Sequence, residues 1–272
     1  MKGREPLIQA IFFDIDGTLL NPETGTVPDS TLACLGALRK KGVKLFVATG
    51  RFPAMTTFIQ DFFDFDGIIT LNGQLAADRE GRVLHRMAHD PEDIRTLVDL
   101  ITHDPDPFPC LIIEEDQCFY VKDSPVIQEH FAWAGLPAPG PYNIARLDKH
   151  PVLQFLAYIL PQEYCRLSPL RHISITGSGH GISDVIPDKG GKEVGIAAVA
   201  DHYGWKREEI MVFGDGPNDA NMLAWAGTGV AMGNGVEEAK AAADYVTTPV
   251  GEDGVKNALL HLGVLAEEDL AL

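Results

Sequence analysis

The spacing of apolar residues changes along the chain in a regular way. A short continuous run, Leu7 to Phe13, reads as a buried parallel strand. Pro28-Asp29-Ser30-Thr31 then opens a helix with apolar positions at Leu32, Leu35 and Leu38 and a basic end at Arg39, Lys40 and Lys41. Gly42 stops it. Val43 to Ala48 reads as a second strand and Pro53 to Phe62 as a helix. Gly67 to Leu71 reads as a third strand, closed by the turn Asn72-Gly73. This alternation predicts a doubly wound, Rossmann-like parallel sheet of the α/β class.

From Gly81 to Ser183 the pattern is different. Short strands (Leu111 to Glu114, Cys118 to Val121, Leu153 to Ile159, His172 to Thr176) mix with two helices (Pro91 to His103, Ser124 to Ala134) and many prolines. Hairpin-like pairs of this kind predict an α+β insert. After Ser183 the first pattern resumes. Helices are expected at Gly191 to Tyr203, Asn218 to Ala226, Val236 to Ala243 and Gly251 to Leu262. Strands are expected at Glu209 to Phe213, Thr228 to Met232 and Tyr245 to Thr247. The expected organisation is a core of residues 1–80 and 184–272 split by a cap of residues 81–183. The acidic tail after Leu265 reads as frayed or solvated.

Charge narrows the functional classes. The net charge of -17 and a pI near 4.8 argue against a nucleic-acid binder, which needs a basic surface. They leave a small phosphorylated substrate open. Cys34, Cys110, Cys118 and Cys165 lack Cys-x-x-Cys spacing, so they read as reduced thiols in or near the core. No signal-peptide pattern and no bilayer-length apolar run is present, so no membrane partner and a cytoplasmic location are expected.

Four strand ends carry polar residues where an open α/β sheet presents ligands. Asp14 and Asp16 flank Ile15 and precede Gly17, which permits a turn. One carboxylate can attack phosphorus while the other protonates a leaving alkoxide and later deprotonates water. Alone, the segment is equally an Asp-Gly turn. A calcium loop would need further acidic ligands and a closing Glu, and Thr18-Leu19-Leu20-Asn21-Pro22 follows instead. Thr49-Gly50-Arg51 offers a hydroxyl and an amide for phosphoryl oxygens, or simply a strand-to-helix turn. Lys192 adds a charge to a helix N-terminus, with Lys189 as its rival. Gly214-Asp215-Gly216-Pro217-Asn218-Asp219 supplies hard oxygen ligands suited to magnesium, Asn218 doubling as a helix cap.

In order and spacing, these four pieces resemble the motifs of the haloacid dehalogenase superfamily of phosphatases. The Asn72-Gly73 turn, the long insert and the run Val230-Ala231-Met232-Gly233-Asn234-Gly235 resemble its Cof-type branch, whose cap is called C2B. That branch commonly has Lys-Gly at the third motif, whereas Lys192 is followed by Glu193. The resemblance implies a Mg2+-dependent phosphohydrolase acting on a small phosphorylated metabolite (sugar phosphate, nucleotide or cofactor phosphate). It implies Asp14 as nucleophile and Asp16 as general acid and base. It implies Ile15, Thr49, Gly50, Lys192 and Asn218 as phosphate contacts. Magnesium would be held by Asp14, the Asp16 carbonyl and Asp215, with Asp219 either a further ligand or a support behind them. A monomer or small homo-oligomer is expected. The competing readings are a phosphomutase or phosphotransferase on the same phosphoenzyme, and a non-catalytic phosphate-ligand-binding regulator. Candidate leaving-group contacts on the insert are His85, Arg86, Glu114, Glu115, Tyr120, His180 and Asp184.

Overall fold

The computed structural model describes residues 8–176 and 181–271. Strands fall at β1 Ala10–Phe13, β2 Lys44–Ala48, β3 Gly67–Thr70, β4 Leu75–Asp78, β5 Val83–Arg86, β6 Cys110–Ile113, β7 Cys118–Lys122, β8 Gly140–Pro141, β9 Gln154–Ala157, β10 Ile173–Thr176, β11 Ser183–Pro187, β12 Ile210–Gly214, β13 Thr228–Ala231 and β14 Tyr245–Val246. Among the described residues they form two sheets. One runs β14-β13-β12-β1-β2-β3-β4-β5, and the other β10-β11-β9-β6-β7-β8. The chain divides into two compact units, Met1–Thr49 with Phe58–His85 and Gly191–Leu272, and Gly50–Thr57 with Arg86–Gly190.

In the first unit, β14 through β3 pair in parallel and β4 turns back antiparallel on β3. The fold class is α/β, as the alternating pattern requires. The two-residue period of β1 divides its side chains between two cores. Ile11 and Phe13 join Leu35, Leu38, Val255 and Leu259 on one face. Ala10 and Phe12 join Phe46, Ile196, Val199 and Met222 on the other. With helices on both faces, every β1 residue is buried, which explains its unbroken apolar run. The chain builds β1, β2 and β3 outward in one direction, then returns to place β12, β13 and β14 on the other side of β1. The topological switch point therefore lies between β1 and β12, where such sheets bind ligands.

Several expected elements changed. The Pro53 to Phe62 helix breaks into a short 3₁₀ turn, Pro53–Met55, and a single helical turn, Ile59–Phe62. Between them the Thr56 hydroxyl donates to the Pro53 carbonyl at 2.8 Å. The strands β4, β5 and β11 had no strong local pattern. The first unit extends to His85, with Gly50–Thr57 falling in the second, and pairing puts Ser183–Pro187 in the second sheet. The acidic tail holds one helical turn, Glu267–Leu270, tied by a Lys41–Asp269 ion pair of 2.8 Å. Cys165 is exposed; Cys34 and Cys110 are buried.

The second unit packs two helices, Pro91–His103 and Pro125–Trp133, with its sheet. Its core gathers Ile94, Leu97, Ile101, Phe108, Ile112, Phe155 and Val185. Asp90 caps the first of these helices by accepting the Glu92 amide at 2.8 Å, and Pro91 follows at the first helical position.

Candidate active site

Asp14 follows β1 directly, and its amide still donates to the Phe213 carbonyl of β12 at 2.9 Å. The pairing thus carries the carboxylate to the sheet's C-terminal edge. Gly17 then turns the chain at φ +83°. A Cβ there would lie 2.2 Å from Asp215 Oδ2 and would displace that carboxylate, so glycine lets the two motifs meet as they do. Asp16 sits in this turn with its side chain exposed.

Asp215 follows β12, next to β1 in the sheet. The Thr18 hydroxyl donates to its Oδ1 at 3.0 Å, and the Asn234 amide approaches Oδ2 at 3.4 Å. Asn234 also donates to the Gly17 carbonyl at 2.8 Å and accepts from the Val250 amide at 2.8 Å. Thr18 and Asn234 were visible in the sequence as letters of motifs. Only the long-range geometry shows that they fix Asp215.

Lys192 begins the helix Lys192–Tyr203 and is 1% exposed. Its ammonium donates to Asp14 Oδ1 and to Asp219 Oδ1, both at 2.6 Å. Burial alone would lower its pKa, but these two carboxylates outweigh burial and raise it. Lys189 is exposed in the turn before the helix. Asp219 is fully buried, and its Oδ2 accepts the amides of Asp215 at 2.9 Å and Gly216 at 2.8 Å. Both of its oxygens are therefore engaged in shaping the loop and holding the lysine.

Carboxylate oxygens of Asp14, Asp215 and Asp219 lie within 4.8 Å of one another. Burial pushes the Asp14 pKa well up, against the pull of Lys192 and with added repulsion from Asp219, Asp215 and Asp16. Burial likewise raises Asp215 to about 6, with Asp219 adding to the shift. Three carboxylates around one ammonium leave the cluster negative in a poorly solvated place. An all-oxygen set with this excess of charge fits a hard divalent cation.

Thr49 follows β2 and is 1% exposed, its amide bonding the Ile69 carbonyl at 2.9 Å. Gly50 follows it as a half-buried residue, and Ile15 is fully buried between the two aspartates of the first motif. Asn218 donates to Asn72 Oδ1 at 2.9 Å. The fold thus gathers Asp14, Thr49, Lys192, Asp215, Asn218 and Asp219 in the first unit from strand ends and helix starts far apart in sequence.

The insert candidates are placed differently. Glu114 is buried and held by both arms of Arg146, at 3.0 and 2.7 Å. Arg86 pairs with Glu115. His85 belongs to the first unit, on β5. Tyr120 and Asp184 are half-buried on β7 and β11, and His180 lies outside the described residues.

These features define an α/β protein with an acidic, lysine-bridged centre at the switch point of its sheet, and comparison with known proteins places it in a family. The family model for haloacid dehalogenase-like hydrolases matches residues 11–259. The "Putative phosphatase YkrA" of Bacillus subtilis (strain 168) is 32% identical over 256 residues, covering 94% of this chain and 98% of that protein. The structure of the phosphatase BT1666 from Bacteroides thetaiotaomicron aligns with a TM-score of 0.86 at 31% identity, over 97% of this chain and 98% of that one. The subclass IIB sugar phosphatase BT4131 aligns with a TM-score of 0.84 at 34% identity, over 94% and 100%. The chain belongs to the haloacid dehalogenase-like hydrolase family and is a phosphatase of the phosphoric monoester hydrolase class.

Proposed function

We propose that the chain hydrolyses small phosphorylated metabolites with magnesium, through a phosphorylated Asp14. The observation that carries this reading is the Lys192 ammonium bridging Asp14 and Asp219 at 2.6 Å, beside Asp215, at the C-terminal edge of β1 and β12. A carboxylate oxygen of Asp14 attacks phosphorus as the bond to the leaving oxygen breaks. Asp16 gives its proton to that oxygen. Asp16 then takes a proton from water, which attacks the same phosphorus, and the bond to Asp14 breaks with release of phosphate. The exposure of Asp16 suits a group that must exchange protons with both substrate and water.

Attack by a carboxylate on a phosphate brings like charges together. Lys192, buried and held by its two carboxylates, offsets that repulsion where water cannot screen it. Thr49, the amides of Ile15 and Gly50, and the Asn218 side chain are assigned to the phosphoryl oxygens. Asp14, Asp215 and the Asp16 carbonyl are assigned to magnesium, with Asp219 holding Asp215 and Lys192 in place behind them. Bound there, magnesium supplies positive charge to the phosphoryl group during transfer. The second unit, inserted as a cap, is assigned the choice of leaving group.

A phosphate-release screen over sugar phosphates, nucleotides and cofactor phosphates tests the reading. Sugar phosphates come first because the relative BT4131 is named a sugar phosphatase. Release is expected with magnesium, falling at least about 10²-fold after chelation and returning when magnesium is added back. Isomerised sugar phosphate without free phosphate would instead identify a mutase. Phosphate and magnesium binding without turnover would identify a regulator.

A further inference from the structure

One short turn touches three of the four motifs. Leu71 and Asn72 are consecutive non-glycine residues in the left-handed region, with φ of +55° and +52°. That region is uncommon for one side chain and more so for two in succession, the first of them bulky. Something must hold the turn there. The fully buried Gln74 donates its Nε2 to the Asn72 carbonyl at 3.0 Å. The Asn72 amide donates to the Thr49 carbonyl at 3.0 Å. Gly73, at φ +101°, lies so close to the Lys192 helix that a Cβ would be 1.9 Å from the Gly191 carbonyl oxygen and 3.0 Å from the Lys192 amide. Asn72 Oδ1 accepts the Asn218 amide at 2.9 Å, and Asn72 itself is 1% exposed.

We propose that Asn72 is a positioning residue for phosphoryl transfer, its left-handed turn setting Thr49, the start of the Lys192 helix and the Asn218 amide in one frame. This rests on the site reading above and adds a part that touches neither phosphorus nor metal. An Asn218 amide can present a hydrogen to a phosphoryl oxygen only if its rotation is fixed. Accepting one of its two N–H hydrogens at Asn72 Oδ1 fixes that rotation and aims the other. The left-handed backbone is what turns the Asn72 side chain toward Asn218 while its amide stays on Thr49. Strain concentrated in a buried turn is then part of the alignment.

Asn72→Gly is the informative variant. Glycine adopts the same φ freely, so the turn keeps its shape while the side chain that holds Asn218 is lost. The expected result is a kcat about 10–100-fold lower, by the same factor for phosphate esters with different leaving groups, at a melting temperature no lower than wild type. Asn218→Ala should lose a similar factor, and the double variant should lose little more than either alone. Wild-type kcat in Asn72→Gly, or full additivity with Asn218→Ala, overturns the proposal. So does a loss of activity that simply follows melting temperature across Asn72→Gly and Asn72→Ala. Failure of the underlying site reading looks different: turnover would then survive in Asp14→Asn, whatever Asn72 does.

Discussion

Buried ionisable groups are treated differently in the second unit and at the centre of the first. Among the described residues of the second, Glu114 and Asp93 are partnered on both oxygens and His89 is held neutral. Glu114 receives both arms of Arg146, whose guanidinium also lies 4.5 Å over the Phe119 ring. Asp93 caps the amides of Arg171 at 2.9 Å and His172 at 2.8 Å, one on each oxygen. His89, 3% exposed against the Phe155 ring, bonds the Val185 carbonyl at 3.1 Å, and burial lowers its pKa to about 4. At the centre of the first unit, burial pushes Asp14 and Asp215 up, and the neighbouring carboxylates add to the rise because three of them share one ammonium. Partnered groups build a fold. A cluster left short of positive charge costs stability and is a standing demand for a cation and a reaction.

That contrast can be broken most directly at Asp14. Asp14→Asn should lower phosphate release by about 10⁴-fold or more, with a melting temperature no lower than wild type, because it removes an unfavourable buried charge. A large loss of stability would show that Asp14 belongs with the partnered groups. Lys192→Ala comes next. It leaves two buried carboxylates without their cation, so activity should fall about 10²–10³-fold and stability by about 3–5 kcal/mol. Lys189→Ala, on an exposed side chain, should stay close to wild type in both, and the reverse ranking would discredit the bridge. The smallest effect lies in the second unit. The depressed folded pKa of His89 means its stabilising contribution is whole above pH 6.5 and is lost as the pH falls through about 4. The loss should reach about 3 kcal/mol and be absent from denaturation curves of His89→Gln.

Much of this could be read from the chain. Strand ends, helix starts and the motif order placed Asp14, Thr49, Lys192, Asp215, Asn218 and Asp219 correctly along the elements, because apolar period and capping residues are local signals. The helix Pro91–His103 was legible to the residue from its proline start and apolar stripe. What stayed hidden depends on contacts between distant segments. Nothing near Asn234 announces that it ties Gly17, Asp215 and Val250 together. That the two oxygens of Asp219 hold Lys192 and the Asp215 loop is likewise invisible in the sequence, because Lys192 comes from a separate helix. The strands β4, β5 and β11 are short and lack a strong period, so only their pairing reveals them. The Pro53 to Phe62 segment has helical composition, yet a Thr56 hydroxyl competes for the backbone and breaks it.

The neighbours of β1 have a consequence for synthesis. On one side it pairs with β2, which leaves the ribosome soon after it. On the other it pairs with β12, and the Thr18–Asp215 hydrogen bond closes a separation of 197 residues. At ordinary translation rates the second partner arrives roughly 10–40 s later. During that interval a fully apolar strand has one edge open to any other nascent chain. Chaperone demand during production should therefore centre on this edge, and enzymatic competence can begin only once Lys192, Asp215 and Asp219 have been made.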